Sequence, residues 1–346
     1  YWMITMVVTD MPPVHSSLSE FVHVRQSSIR SIHVVQDLQN ELIIEEYLMT
    51  AQSRSGLHRI LDRLYDASPT RAWTLTGPYG TGKSYFSLIL MNLFCGSQPG
   101  HTRAVDLLRA IDPILTDQVI HRLDLDSGLG LFAVPVAGSR SSLPECLRNS
   151  LQNALHPYKD VSEFQKLLDE LDNWNSETGS REIVSWLNSL KTAFSVACLP
   201  FQGVLFILDE MGKLLEFAAA NPDKTDVFLF QELAERANRS GDFPIVLIGI
   251  LHQAFERYAS LLNSAAQREW AKVQGRFEDI AFQEPPALQM RLIVRALEAM
   301  QMDRYAALSS ILEETAEETW WSGWQPPLLS KEQFHELCLA AYPFHP

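Results

Sequence analysis

The sequence predicts an α/β protein in which a mostly parallel sheet lies between two layers of helices. Three observations carry that expectation. Strand-like and helix-like stretches alternate from residue 69 to residue 285, the pattern that builds a parallel sheet covered on both faces. Two runs, Val204-Leu205-Phe206-Ile207-Leu208 and Ile245-Val246-Leu247-Ile248-Gly249-Ile250-Leu251, are apolar without alternation, as strands buried on both faces are. Between a β-prone run (72–76) and an apolar helical run (85–94) lies a glycine-rich turn, a strand–loop–helix unit of the kind that cradles phosphate. Three parts are expected: an N-terminal segment (1–68), a core (69–285) and a helical lid (286–346).

The totals bound the rest. The chain has 346 residues, 46% of them hydrophobic and 20% charged, a globular composition with length for about two domains. Its net charge of −14 argues against binding nucleic acid through the surface as a whole, and leaves room for a local basic patch. Cys95, Cys146, Cys198 and Cys338 are widely spaced with no C-x-x-C pair, so buried thiols in a reducing, cytoplasmic setting are expected. The apolar start lacks a basic region and is broken by Asp10 and two prolines. It fits neither a signal peptide nor a membrane span, and no membrane contact is expected. The first residue is not methionine, which leaves the natural start open.

Along the chain, Glu20-Phe21-Val22-His23-Val24-Arg25 and Ile32-His33-Val34-Val35 alternate as short strands do. Leu57, Ile60, Leu61 and Leu64 share one face of a helix. The preceding Glu46-Tyr47-Leu48-Met49-Thr50 is either a wall of a base pocket or plain core.

Gly77-Pro78-Tyr79-Gly80-Thr81-Gly82-Lys83-Ser84 reads G-x-x-x-x-G-K-S, a phosphate loop of the Walker A type. Gly77, Gly80 and Gly82 let backbone N–H groups point inward, where they and the helix N-terminus hold an anion. With Pro78, Tyr79, Thr81 and Tyr85 they make up the expected nucleotide-binding stretch. Lys83 is expected to reach the β- and γ-phosphates, and the Ser84 hydroxyl to sit on Mg²⁺. A chance glycine turn is the bland alternative, and both flanks argue against it.

Past a break at residues 96–100, helices are expected near 102–112 and 115–123, then a strand over 131–137. Pro135 inside that strand removes a ladder donor and calls for an open edge or a bulge. Arg140 follows at the strand end, where ligands bind in open α/β sheets; a solvated loop arginine is the commoner outcome. Ser142 and Glu145 have capping-box spacing for a helix to about residue 155. Amphipathic helices are expected at 161–172 and 181–197.

The run from Val204 ends in Asp209-Glu210, in the manner of a Walker B strand. Asp209 would hold Mg²⁺ with Ser84, since this ion needs few protein ligands. Glu210 is placed to orient or deprotonate an attacking water. No N-K-x-D base-reading motif is present, since Asn221-Pro222-Asp223-Lys224 follows no buried strand, and L-S-G-G-Q is absent; ATP is therefore expected. The next strand, through Leu251, ends in His252-Gln253, either of which can touch the γ-phosphate or the water, or simply start a helix over 254–262. Gly275-Arg276-Phe277 then leads into a last strand, followed by a helical run over 288–300.

That order of motifs over residues 45–320 resembles AAA+ ATPases, with Gly275-Arg276-Phe277 resembling their arginine-finger region. The resemblance implies a P-loop NTPase core, Mg²⁺-dependent ATP hydrolysis, and a homo-oligomer or larger complex in which Arg276 completes a neighbour's site. Arg276 acting in cis, or pairing with Glu278 or Glu284, are the alternatives. Arg291 and Arg295 are candidate lid contacts, and Trp320, Trp321 and Trp324 candidate lid core or partner contacts. The closing Tyr342-Pro343-Phe344-His345-Pro346 resembles large prokaryotic P-loop ATPases, including those of BREX-type phage defence. That likeness implies a chain continuing past Pro346, an incomplete lid and an antiviral setting, with DNA among the partners it allows. A STAND-like nucleotide-gated switch with slow hydrolysis is the rival expectation, and a non-catalytic binding module a third, which intact Lys83, Ser84, Asp209 and Glu210 disfavour.

Overall fold

The computed structural model describes residues 22–24, 31–66, 69–221, 227–259, 264–283, 294, 297–299, 302–323, 325 and 329–341. Among them are seven strands: β1 (Val22–Val24), β2 (Ala72–Thr76), β3 (Leu131–Ala137), β4 (Gly203–Asp209), β5 (Ile245–Leu251), β6 (Glu278–Ala281) and β7 (Leu297–Ala299). The chain forms two compact units, Ser31–Gln283 and Tyr1–Arg30 with Glu284–Pro346. Residues 31–66 therefore belong with the core, and the N-terminal boundary falls at residue 30 where 68 was expected.

The larger unit is α/β. Its five strands run in the order β3-β4-β5-β2-β6, every neighbouring pair parallel. Successive side chains on a strand point to opposite faces, and the core splits accordingly. Trp73, Leu75, Leu205, Ile207, Ile248 and Ile250 face one way. There they meet helices Ala51–Leu64, Lys83–Phe94, His101–Ile111 and Pro113–Arg122. Ala72, Val204, Phe206, Leu208, Leu247 and Leu251 face the other way. There they meet helices Leu143–Leu155, Ser162–Leu171, Ser180–Val196 and Phe228–Asn238. β4 is buried along its whole length, which is why its sequence shows no alternation. Pro135 sits on β3, an edge strand, where a missing N–H is tolerated. The Ser142 N–H donates to Glu145 Oε2 at 3.1 Å, and the capping box starts its helix as its spacing predicts.

Two assignments in this unit change. Val34–Asp37 is a helical turn instead of a strand. The His33 N–H donates to Asp37 Oδ2 at 2.8 Å, and this local bond closes the turn, outweighing an alternation only four residues long. The helix expected over 254–262 is a short one, Phe255–Tyr258, with 260–263 outside the described residues.

In the smaller unit β1 pairs antiparallel with β7. Residues 297–299 are thus strand where a helix was expected over 288–300. Helices Met302–Trp321 and Lys331–Ala341 follow, with Trp320 against Phe334 at 5.5 Å between ring centres and Phe334 fully buried. Trp321 Nε1 and Lys331 Nζ both donate to Glu317 Oε1 at 2.6 Å. Arg291, Arg295, Trp324 and residues 342–346 lie outside the described residues. Among the described residues no helix is long and apolar enough to cross a membrane.

Candidate functional site

Because the sheet is parallel, the C-terminal ends of its strands meet along one edge. β2 runs into the glycine loop, β5 into His252, β4 into Asp209 and Glu210, and β3 into Gly138. β5 lies between β2 and β4, so His252 stands between the loop and the acid pair.

The loop's backbone explains its glycines. Gly80 and Gly82 have φ of 79° and 84°, in the left-handed region that costs an L-residue roughly 1–2 kcal/mol. Gly77 meets a different constraint: a Cβ there would collide with the Phe282 carbonyl oxygen, just past β6. Phe282 is fixed there by its N–H, which donates to the Thr76 carbonyl at 2.6 Å.

Lys83 opens the helix Lys83–Phe94 and is 4% exposed. Its Nζ donates to the carbonyls of Gly77 and Pro78, both at 2.6 Å, and to Thr81 Oγ1 at 3.3 Å. Burial lowers its pKa to about 8, and the Asp209 charge works against that shift. One residue on, Ser84 Oγ donates to Asp209 Oδ1 at 3.2 Å, a contact between residues 125 apart in sequence.

Asp209 is 8% exposed. Burial raises its pKa, and hydrogen bonds from the Val34 N–H and the Ser84 hydroxyl oppose the rise, since both favour the ionised form. The Val34 N–H donates to the second carboxylate oxygen, Oδ2, at 3.3 Å. The Gly138 N–H holds the Asp209 carbonyl at 2.7 Å, tying β3 to the acid pair. Glu210 has φ 55° and ψ 40°, a left-handed conformation unusual for a residue with a side chain; such strain concentrates at functional sites. Its carboxylate is ion-paired with Lys213, one turn along the helix Met211–Ala220.

Tyr79 is 76% exposed and stacks on His252, with ring centres 3.7 Å apart and planes 20° apart. Neither His252 ring nitrogen has a hydrogen-bond partner among the described residues. Burial lowers the His252 pKa, and the Lys83 charge adds to the effect; both favour the neutral ring, which has one donor and one acceptor. Gln253 follows directly and is half-buried. On the other flank of the loop, the Tyr85 and Tyr47 rings are 4.9 Å apart and the Tyr85 hydroxyl donates to the Ile43 carbonyl. The segment expected to line a base pocket therefore does adjoin the first turn after the loop.

The donor set suits Mg²⁺. Ser84 Oγ and Asp209 Oδ1 are hard oxygens in mutual contact, and this ion takes one or two protein ligands with phosphates and waters completing its shell. Among the described residues no group of three or more His, Cys, Asp or Glu side chains forms a metal cage.

The loop over 77–85, Asp209, Glu210 and His252 thus lie together at one edge of the sheet. Arg276 does not join them. It precedes β6, whose Glu278 pairs with Trp73, so it lies level with the start of β2, about 20 Å along the strands from the loop. There its Nε pairs with Glu235 Oε1 at 2.9 Å, while Glu278 pairs with Arg59. That spacing gives no support to a role in its own site, and its partner among the described residues is Glu235 instead of Glu278, while Glu284 lies outside the described residues. Arg140 is an exposed loop residue. Two residues at the site were not anticipated. Lys213 carried a signal in its position three residues after Glu210 on a helix. Val34 carried none, because what it contributes is backbone.

No protein-family model matches the chain, and no curated protein matches it. The functional assignment rests on residues and geometry.

Proposed function

We propose that this chain binds ATP with Mg²⁺ and hydrolyses it, as an AAA+-like P-loop ATPase. The observation that carries the proposal is the Ser84–Asp209 contact. It joins two motifs independently legible in the sequence into one phosphate-and-metal constellation beside Lys83. In this reading the loop N–H groups and Lys83 bind the phosphates. Ser84 and Asp209 hold Mg²⁺, which when bound neutralises charge on the phosphates. Glu210 accepts the proton of the attacking water, and His252 contacts the γ-phosphate or that water. The ATP cycle would drive remodelling of, or movement on, a partner protein or nucleic acid, in a prokaryotic antiviral setting and within an oligomer.

The Glu210–Lys213 ion pair favours a second reading, a STAND-like switch. A base held by a cation turns over slowly, and ATP binding would then act through assembly.

The test is steady-state ATP hydrolysis with Mg²⁺ at several protein concentrations, with and without single-stranded and duplex DNA. Binding of a fluorescent ATP analogue is followed in parallel. Wild type is expected to turn over at a rate rising with protein concentration. Glu210→Gln should keep its affinity within about threefold and lose roughly 10²-fold or more in turnover, while Lys83→Ala should lose binding. A flat, near-zero wild-type rate with tight binding favours the switch. Unchanged turnover in Glu210→Gln removes that residue's role, and no binding by wild type ends both readings.

A further inference from the structure

We infer that the backbone N–H of Val34 is a positioning group for Asp209, fixing which carboxylate oxygen is turned toward Ser84 and hence toward Mg²⁺. The inference rests on the reading of Ser84 and Asp209 as holders of that ion. An aspartate at a strand end can rotate its carboxylate, and two equivalent oxygens compete for one task. Here they are sorted. Oδ2 takes the Val34 N–H at 3.3 Å and Oδ1 takes the Ser84 hydroxyl at 3.2 Å, with the neighbouring Glu210 N–H a further donor to the carboxylate. An N–H on one oxygen holds the plane of the group and leaves the other free to ligate, as outer-shell donors do around metal-bound carboxylates.

The donor is itself held rigidly. Val34 is fully buried and Asp37 is 2% exposed. The turn between them is closed by the His33 N–H on Asp37 Oδ2 and by the Gln36 and Asp37 N–H groups on the His33 carbonyl, at 3.0 and 2.8 Å. It packs against the helix Lys83–Phe94 that carries Ser84 and against β3. Donor, acid and serine are thus registered to one another by elements far apart in sequence.

The geometry also supplies a clean test. Val34 is the first residue of its helical turn, where proline is accepted and its N–H is dispensable to the helix. His33 is extended, with φ −113° and ψ 106°, as a residue before proline prefers. Val34→Pro removes the donor and keeps a compact apolar side chain; Val34→Ala keeps the donor and trims the side chain. Binding of a fluorescent ATP analogue is titrated with Mg²⁺ and repeated in EDTA. Val34→Pro is expected to need about 10–100-fold more Mg²⁺ for the same occupancy, with metal-free affinity unchanged within about twofold and Val34→Ala close to wild type in both. Should the proline variant not fold, an ester in place of the amide between His33 and Val34 deletes the same N–H and is expected to give the same shift. A wild-type Mg²⁺ requirement in the donor-deleted chain overturns the inference. So does an equal shift in Val34→Ala, which would make packing the cause. Wild type binding nucleotide with no dependence on Mg²⁺ would overturn the metal reading itself, a distinguishable failure.

Discussion

Lys83 is the residue on which burial acts most plainly. Its amino group is enclosed by loop carbonyls and has a pKa lowered to about 8 from 10.5, burial being the first cause. In the unfolded chain the group keeps its proton to higher pH. Between about 8 and 10.5 the folded state therefore binds fewer protons, and this residue's contribution to stability improves as pH rises through that window. Its cost is fully present below about 8. Phosphate oxygens would reverse the balance by favouring the charged amine, so nucleotide binding should take up a proton above about pH 8 and weaken as pH rises from 8 to 10. Calorimetric titration at pH 8.5 in two buffers of different ionisation enthalpy measures that proton directly. Identical apparent enthalpies in the two buffers would mean that Lys83 does not recharge. His252 and Glu210 teach a related lesson: side-chain type and strand-end position were enough to pick them out of the sequence. What could not be read was their company. Tyr79 over one and Lys213 on the other depend on rotamers and on a left-handed turn.

Among elements, the two ends of the sheet have different work. The C-terminal ends carry the candidate site, and the N-terminal ends of β2 and β6 are joined by Asn238. Its Oδ1 accepts from the N–H groups of Arg71 and Ala72, at 2.6 and 3.2 Å, and its Nδ2 donates to the Arg276 carbonyl at 3.3 Å. Asn238→Ala strips these bonds, and the protein should lose about 1–3 kcal/mol of stability, read as a lower denaturant midpoint. Affinity for nucleotide should stay the same, because the change lies a full strand length from the loop; a joint loss of both would show that the ends are coupled. The strands themselves were the most legible elements, since burial on both faces writes itself as unbroken apolar runs. The turn Val34–Asp37 was not legible, because it is closed by local bonds around His33, including its N–H donating to the Asp37 side chain, that leave no periodicity in the sequence. β1 with β7 was hidden differently, as a pairing across more than 270 residues leaves no local periodicity.

For the whole molecule, the position of Arg276 narrows the question of assembly. It lies about 20 Å along the strands from its own loop, so the proposed arginine-finger role calls for a second copy. Arg276→Ala and Lys83→Ala chains should each be weakly active alone and partly active when mixed, since a mixed interface joins an intact arginine to an intact loop. A mixture no more active than its parts, at any ratio, leaves Arg276 with the Glu235 pair alone. The placement of residues 31–66 has a practical consequence for anyone trimming the chain. A fragment starting at residue 69 would keep every letter of both motifs on which the proposed function rests. It would also discard Val34, Ile44, Leu57, Ile60, Leu61 and Leu64, each at most 1% exposed. At roughly 1.5–3 kcal/mol for each such side chain, that loss rivals the 5–15 kcal/mol by which a whole domain is ordinarily stable. The shortest piece containing the signature is therefore not the shortest piece that folds.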